Sequence, residues 1–447
     1  MRLTAAIAAL LANSALGQSE PKPGPDGTYE ISAPGIRAQF IPYGATMRNL
    51  FVKDKNGYEV DVVLGYDDIA YYPKDPGHPV YNSIPGRYVN RIGHATYTLN
   101  GTTYHTEQND GNNTLHGGTN NWSYRFWNVT ALSNSSITFS IHDPANLTTG
   151  FPGSVDANVT YTLTENTWHI KMQAVAPDTE TPLMLTHHTY FNLDAFKNPA
   201  TDLIWDHTLY LPTAHRYLEL DGGALPTGKI LTAAPGSVND FYSSPNASFG
   251  RAIHDPAFKN NCGSGCDGYN GYWIFDAPGS NTTTTAGAKR ARSAASDSDV
   301  VLTLASPWNG IKADLRTDQP GVQVYSCFWM DGTAPLKSTQ GTASHRTVKS
   351  DGCVAIEAQD YVDGINHPEW GRLNAEITGP GKTYNWESSE TGCTVWLDTE
   401  DAIDSKCVDC ENPGLEAPIL SRLVPAVFNG IWASFVTWRA DDMIVKA

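Results

Sequence analysis

Val155-Asp156-Ala157-Asn158-Val159-Thr160-Tyr161-Thr162-Leu163-Thr164 alternates strictly between apolar and polar residues. Successive side chains of a β-strand point to opposite faces, so this segment offers one face to a core and the other to water. A helix would instead repeat its apolar residues every three or four positions. Working outward, Trp168 to Ala176, Thr208 to Pro212, Val300 to Ala305 and Val322 to Phe328 also read as strands. Lys55-Asn56-Gly57 reads as a hairpin turn. The chain shows no long amphipathic helix and no repeat of fixed period. Many strands separated by turns predict an all-β chain, a sandwich or a barrel. The 39 glycines, 28 prolines, 21 tyrosines and 12 tryptophans among 447 residues agree, since they favour turns and strands. Forty per cent hydrophobic residues are enough for a sizeable core.

Three regions depart from the strand pattern. Residues 1–17 have Arg2, a short apolar run from Leu3 to Leu11, and small residues at Ala15-Leu16-Gly17. They read as a signal peptide, too short to span a membrane. Residues 276–299 carry a Pro-Gly-Ser-Asn-Thr-Thr-Thr-Thr run with little to bury, and are expected to be a disordered insertion. Residues 398–447 form an extension of unassigned role; its apolar part, Ala417 to Trp438, is interrupted by Pro418, Arg422 and Pro425 and makes a poor membrane span. The main domain is therefore expected at 18–397.

With 47 acidic and 30 basic side chains the formal charge is −17, which repels nucleic acid and anionic membranes. The one basic run, Lys289-Arg290-Ala291-Arg292, falls in the expected insertion. Asn-x-Ser/Thr triplets begin at Asn100, Asn112, Asn121, Asn128, Asn134, Asn146, Asn158, Asn246 and Asn281, and with the leader they predict a secreted glycoprotein. In an oxidising compartment some of the seven cysteines should pair. Cys262 and Cys266 flank a Gly-Ser-Gly turn, and Cys407 and Cys410 lie close together, but spacing leaves the connectivity open. A zinc site would need suitably spaced histidines, which these pairs lack.

Four segments set polar groups among strand-like neighbours. They are Gly86-Arg87-Tyr88-Val89-Asn90-Arg91-Ile92-Gly93, Asn112-Asn113-Thr114-Leu115-His116-Gly117-Gly118, Leu185-Thr186-His187-His188-Thr189-Tyr190-Phe191-Asn192-Leu193 and Val354-Ala355-Ile356-Glu357-Ala358-Gln359-Asp360. Singly, each has a bland reading: a surface ion pair for Arg91, a turn residue for His116, a packed ring for one of His187 and His188. Glu357 is harder to dismiss, because a carboxylate in so apolar a strand is unusual unless it is paired or lines a cleft. Together they supply donors and acceptors suited to sugar hydroxyls. Opening a hemiacetal needs a base for the hydroxyl on carbon 1 and an acid for the ring oxygen. A carboxylate and a histidine suit both tasks, and proton transfer alone needs neither cofactor nor metal.

The order Gly-Arg-x-x-Asn-Arg-Ile, Asn-x-Leu-His-Gly-Gly, His-x-Tyr-Phe-Asn-Leu, Pro-Gly-Val-Gln-x-Tyr and Glu-x-Gln resembles the aldose 1-epimerases, or galactose mutarotases, over roughly Ile31 to Tyr384. The resemblance implies a large antiparallel β-sandwich of the galactose-mutarotase type, a monomer acting on a free aldose such as glucose or galactose. It implies Glu357 as general base and His188 as acid at the ring oxygen. It implies sugar binding by Asn90, Arg91, His116, Gln323 and the position of Asn270, and His187, directly before the acid, is expected to bind the sugar with them. The chain departs from the family's usual residues at three places: His187 stands where Asn is usual, Asn270 where a sugar-binding Asp is usual, and Asp360 where Asn follows the Glu-x-Gln. Asn270 forgoes a charge-assisted hydrogen bond, roughly twice as strong as a neutral one; Asp267 is near enough in sequence to substitute. Other readings are a carbohydrate-binding protein without activity, an epimerase of a phosphorylated sugar, which would favour additional Arg or Lys, and a glycosidase, which would need two flanking carboxylates.

Overall fold

The computed structural model describes residues 21–77, 79–276 and 300–394. The leader at 1–17, the extension at 398–447 and all of the 276–299 insertion except Asp276 lie outside the described residues. Asp276 itself is held by the Arg216 guanidinium, with Nε 2.8 Å from Oδ1.

The alternating decapeptide is a strand over Val155–Thr164, with Val155, Ala157, Val159, Tyr161 and Leu163 all buried. It belongs to an eight-stranded sheet whose order is Thr208–Tyr210, Leu302–Ala305, Ile311–Thr317, Thr383–Thr394, Thr167–Val175, Val155–Thr164, Ser136–Asp143 and Asn128–Leu132. A six-stranded sheet runs Thr189–Phe191, Val354–Gln359, Gly321–Tyr325, Asn270–Ile274, Arg216–Leu220 and Pro226–Thr232. A four-stranded sheet is made of Tyr29–Ala33, Ile36–Ile41, Thr46–Lys53 and Glu59–Asp61. Neighbours in all three sheets pair antiparallel. Among the described residues the one α-helix is Leu373–Glu376.

The sheets share one apolar core. Phe139, Tyr161, Trp168 and Trp386 of the large sheet pack in the same buried cluster as Val322, Val324, Val354 and Ile356 of the six-stranded sheet and Phe40 and Met47 of the four-stranded one. Each such side chain contributes about 1.5–3 kcal/mol when fully buried. The Tyr161 hydroxyl, which would be costly there unpaired, donates to the Ala45 carbonyl at 2.8 Å. Lys55-Asn56-Gly57 lies in the turn joining Thr46–Lys53 to Glu59–Asp61, where Gly57 takes φ +83°.

Strand ends differ from the sequence pattern for local reasons. The segment from Thr208 stops at Tyr210 because the Leu211 amide turns to the Phe241 carbonyl. The one from Val322 starts at Gly321 and stops at Tyr325, since Cys327 takes φ +58° and is disulfide-bonded to Cys353. Cys262 and Cys266 form a second disulfide, closing the turn between them.

Val354–Gln359 positions the site. Val354, Ile356 and Ala358 face the core, so Ala355, Glu357 and Gln359 face the opposite side of the sheet. All six residues are buried, so that opposite side is also covered.

Candidate active site

The covered face is a cleft of about 400 Å³. Glu357 projects into it from Val354–Gln359, and Gln323 lies beside Glu357 as its register partner on Gly321–Tyr325. Asn270, at the start of the next strand, accepts a hydrogen bond from Gln323 Nε2 at 2.7 Å. From the other side comes His188, just before Thr189–Phe191. Its backbone is clamped by the Asn82–Ser83 segment: His188 N donates to the Ser83 carbonyl at 3.1 Å and Asn82 N to the His188 carbonyl at 2.9 Å. Asn82, fully buried, bonds the Met47 and Leu64 carbonyls and the Tyr190 amide through its side chain. His188 stacks on Tyr190, ring centroids 4.7 Å apart, and its Nε2 reaches Glu357 Oε1 at 3.2 Å.

Asn90, Arg91 and His116 roof the cleft. A short antiparallel pairing of Arg91–Ile92 with Thr114–Leu115 brings their segments together. Asn90 and His116 both take positive φ and exchange contacts: His116 N donates to the Asn90 carbonyl at 3.0 Å, and Asn90 N donates to His116 Nδ1 at 3.2 Å. Because Nδ1 accepts, the ring proton of neutral His116 sits on Nε2. Gly117 follows at φ +87°, where a Cβ would lie 2.9 Å from the Gly86 carbonyl oxygen. The second glycine motif is thus explained by a close backbone approach.

Desolvation dominates the electrostatics. Burial pushes the Glu357 carboxyl up to about 8, opposed by the positive field of Arg91. Burial drives His188 well below the usual imidazole value, helped by His116 and His187. It also lowers His116 to about 3, with Arg91 adding to the effect. His188 and Glu357 are in contact, so they titrate as a pair. Burial favours the neutral form of that pair, with one shared proton residing on Glu357. Glu357 Oε2 and His188 Nδ1 are buried and have no hydrogen-bond partner in the protein. Such atoms are costly unless a ligand completes them.

A model of the family described as Aldose 1-epimerase matches residues 27–390, most of the chain. The chain belongs to the aldose 1-epimerase family. Relatives include a probable aldose 1-epimerase of Arthroderma benhamiae, 35% identical over 388 residues, covering 80% of this chain and 84% of the relative. The galactose mutarotase of Bos taurus is 30% identical over 357 residues, covering 80% of this chain and 91% of its own. Among solved structures, the GalM/aldose epimerase homologue from C. elegans aligns with a TM-score of 0.67 at 26% identity, over 83% of this chain and 99% of that one. Aldose 1-epimerases are carbohydrate isomerases, and the antiparallel architecture described above is that of the galactose-mutarotase-like structures.

Seven residues singled out from the sequence converge in this epimerase-family cleft: Glu357, His188, Asn90, Arg91, His116, Asn270 and Gln323. His187 does not join them. It directly precedes His188, and neither histidine lies in the strand, which begins at Thr189; its ring packs edge-on against Tyr161 and Trp168 in the core, with Nδ1 2.6 Å from the Thr189 hydroxyl. The sugar-binding expectation for His187 is therefore corrected to a packing position. Asp267 does not stand in for the carboxylate missing at Asn270: it accepts from the Asn260 amide at 2.8 Å and lines a different surface hollow. Arg87 is fully buried away from the cleft, its Nε 2.5 Å from Asp143 Oδ2. Asp143 also receives Arg125 and the Trp122 indole, so Arg87 anchors the segment that carries Asn90 and Arg91.

Other residues of the cleft escaped the sequence reading. Asp110 pairs with Arg91, Nε to Oδ2 2.7 Å, and so neutralises the one Arg or Lys lining the cleft among the described residues. Tyr190 and Tyr325 sat inside the quoted motifs as unremarked aromatics. Asn82 and Trp329 belong to no periodic pattern, and no local signal would have found them.

Proposed function

We propose that this protein interconverts the α and β anomers of a free aldohexose, such as galactose or glucose. Glu357 takes the proton of the hydroxyl on carbon 1 while His188 gives one to the ring oxygen. The bond from carbon 1 to the ring oxygen breaks and the aldehyde forms. Rotation about the bond between carbons 1 and 2, then reversal of both transfers, closes the other anomer. Each positioned transfer typically contributes about 10²–10⁴ in rate. Glu357 gains one proton as His188 gives one up, and the reversal restores both, so the reaction balances without a cofactor. The observation that carries this reading is the buried His188–Glu357 contact of 3.2 Å at the wall of a polar cleft.

The free pair keeps its proton on Glu357. Sugar hydroxyls donating to Oε2, together with the Arg91 field, favour the carboxylate and hand the proton to His188 across the existing contact. His116 Nε2, Asn90, Asn270 and Gln323 remain as neutral partners for the other hydroxyls. Asp110 leaves Arg91 without the spare charge that a phosphorylated sugar would require.

The proposal includes export. Asn100, Asn112, Asn128, Asn134, Asn146, Asn158 and Asn246 are exposed, as glycan acceptors must be. Asn121 is buried, its amide donating to the Gly118 carbonyl at 2.9 Å, and is not a candidate.

The test is polarimetry. Purified protein should speed relaxation of the optical rotation of fresh α-D-galactose or α-D-glucose in proportion to its concentration. Absence of acceleration with every aldose tried would leave a sugar-binding role in its place.

A further inference from the structure

The eight-stranded sheet has one open edge. Asn128–Leu132 ends the strand order on that side, and among the described residues no strand pairs beyond it. An open edge presents unpaired backbone N–H and C=O groups, a template for another chain. The other edges of the three sheets are blunted. Thr208–Tyr210 is three residues long and bridges to Ser248. Tyr29–Ala33 carries Glu30, and Glu59–Asp61 carries two carboxylates. Thr189–Phe191 is buried throughout, and Pro226–Thr232 has Pro226, Gly228 and Lys229. Asn128-Val129-Thr130-Ala131-Leu132 has no charge, no proline and no glycine. A bulge at Thr130, between the pairings of Val129 and Ala131, interrupts its ladder only once.

Beside this edge stands Phe126, 69% exposed. Its ring widens the apolar patch that a second chain would meet. The backbone around it is fixed: Gly44 N donates to the Arg125 carbonyl at 2.8 Å, and Trp127 N to the Pro42 carbonyl at 2.9 Å. Tyr43 packs edge-on against the ring, centroids 5.3 Å apart. Trp127 is buried and Val129 half-buried, while Phe126, Asn128 and Thr130 are exposed. That alternation sets Phe126, Asn128 and Thr130 on one outer face. Across the sheet Asn128 is level with Ser140, a small residue that leaves room above it.

Asn128-Val129-Thr130 is an Asn-x-Thr triplet, with its acceptor amide and its threonine hydroxyl both on that face. We propose that Asn128 carries an N-linked glycan whose first N-acetylglucosamine lies on Phe126, so that the glycan closes the free edge against a second copy of this chain. The inference rests on the export proposed above. The donor is a polyprenyl-pyrophosphate-linked oligosaccharide. Asn128 Nδ2 bonds to carbon 1 of the first N-acetylglucosamine, the bond from that carbon to the pyrophosphate oxygen breaks, the pyrophosphate leaves with the electron pair, and one amide proton is released. A pyranose has a face of weakly positive C–H groups, suited to the negative face of the Phe126 ring. The glycan is bulky and hydrated, so it bars a second strand from the edge beneath it. Phe126, Asn128 and Thr130 do not line the cleft, so the inference is independent of the catalytic reading.

The experiment produces the full chain in a secreting eukaryotic host as wild type, Thr130→Val and Asn128→Gln; both variants destroy the triplet, and the second leaves Thr130 in place. Peptide mass spectrometry should find Asn128 of the secreted wild type glycosylated. Size exclusion with light scattering should show both variants shifted to larger species at a concentration where the wild type is not, and adding Phe126→Ser to Asn128→Gln should reduce that shift. Trimming the wild type's glycans to the first N-acetylglucosamine should leave it unassociated, since that sugar covers Phe126; association equal to that of Asn128→Gln would refute the contact. Protein kept inside the cells and unmodified would overturn the export reading and this inference with it. A secreted wild type with Asn128 bare, or a glycosylated one whose variants keep its size, would overturn this inference alone.

Discussion

Replacing Glu357 by Gln should remove activity and add stability, in amounts the burial of the carboxyl sets. The side chain is 3% exposed, and its carboxyl is pushed from the usual 4.5 up to about 8. Between those values the unfolded chain has released this proton while the folded protein keeps it. Fewer protons bound in the unfolded state means that this residue's contribution to stability falls as pH rises. The loss begins near pH 4.5 and is complete above about pH 8. At about 1.4 kcal/mol per pKa unit it totals on the order of 5 kcal/mol. Glutamine matches the shape and carries no such dependence. The stability difference between Glu357→Gln and wild type should therefore widen by several kcal/mol between pH 5 and pH 8, read from denaturant titrations at each pH. Over the same range the variant should lose about 10²–10⁴ of the rate acceleration measured by polarimetry. A stability difference that stays flat with pH would show that Glu357 is not held as a buried neutral acid. A variant that keeps wild-type activity would remove Glu357 from the proton transfer.

The pair needs one proton in total, so kcat/KM should decline on the alkaline side near pH 8, where the free enzyme loses it; a profile flat to pH 10 would contradict the shared-proton picture. Asn270→Asp should keep the bond from Gln323 but turn a partial donor into a pure acceptor, changing the galactose-to-glucose ratio of kcat/KM. Its added negative charge should also move the alkaline limb upward, and a variant matching wild type in both measurements would show that this position does not touch the sugar. His187→Ala should cost about 2–4 kcal/mol of stability by leaving a void beside Tyr161 and Trp168, with kcat/KM at low temperature changed far less than by His188→Ala. Equal losses of kcat/KM in the two variants would return His187 to the sugar site.

Much of this molecule was legible from residue order alone. The Val155–Thr164 alternation specifies both strand and buried face, because a period of two leaves no other arrangement with all five apolar side chains out of water. Glu357 was legible for a similar reason: a carboxyl among Val354, Ile356 and Ala358 must face away from them and needs a setting of its own. Read as strand residues, His187 and His188 would point in opposite directions; the strand begins only at Thr189, yet their rings do part. Which of the two meets the core is settled only when Tyr161 and Trp168, on another sheet, close over His187 and leave His188 against Glu357. Arg87 and Arg91 look equivalent in sequence, four residues apart in one motif. Asp143 buries the first and Asp110 holds the second at the cleft, and both carboxylates arrive from elsewhere along the chain. Periodicity reports which side of a strand is wet. It carries no information about what lies across the gap, so the neutralised arginine, the clamp at Asn82 and the place of Trp329 at the cleft were decided by tertiary packing.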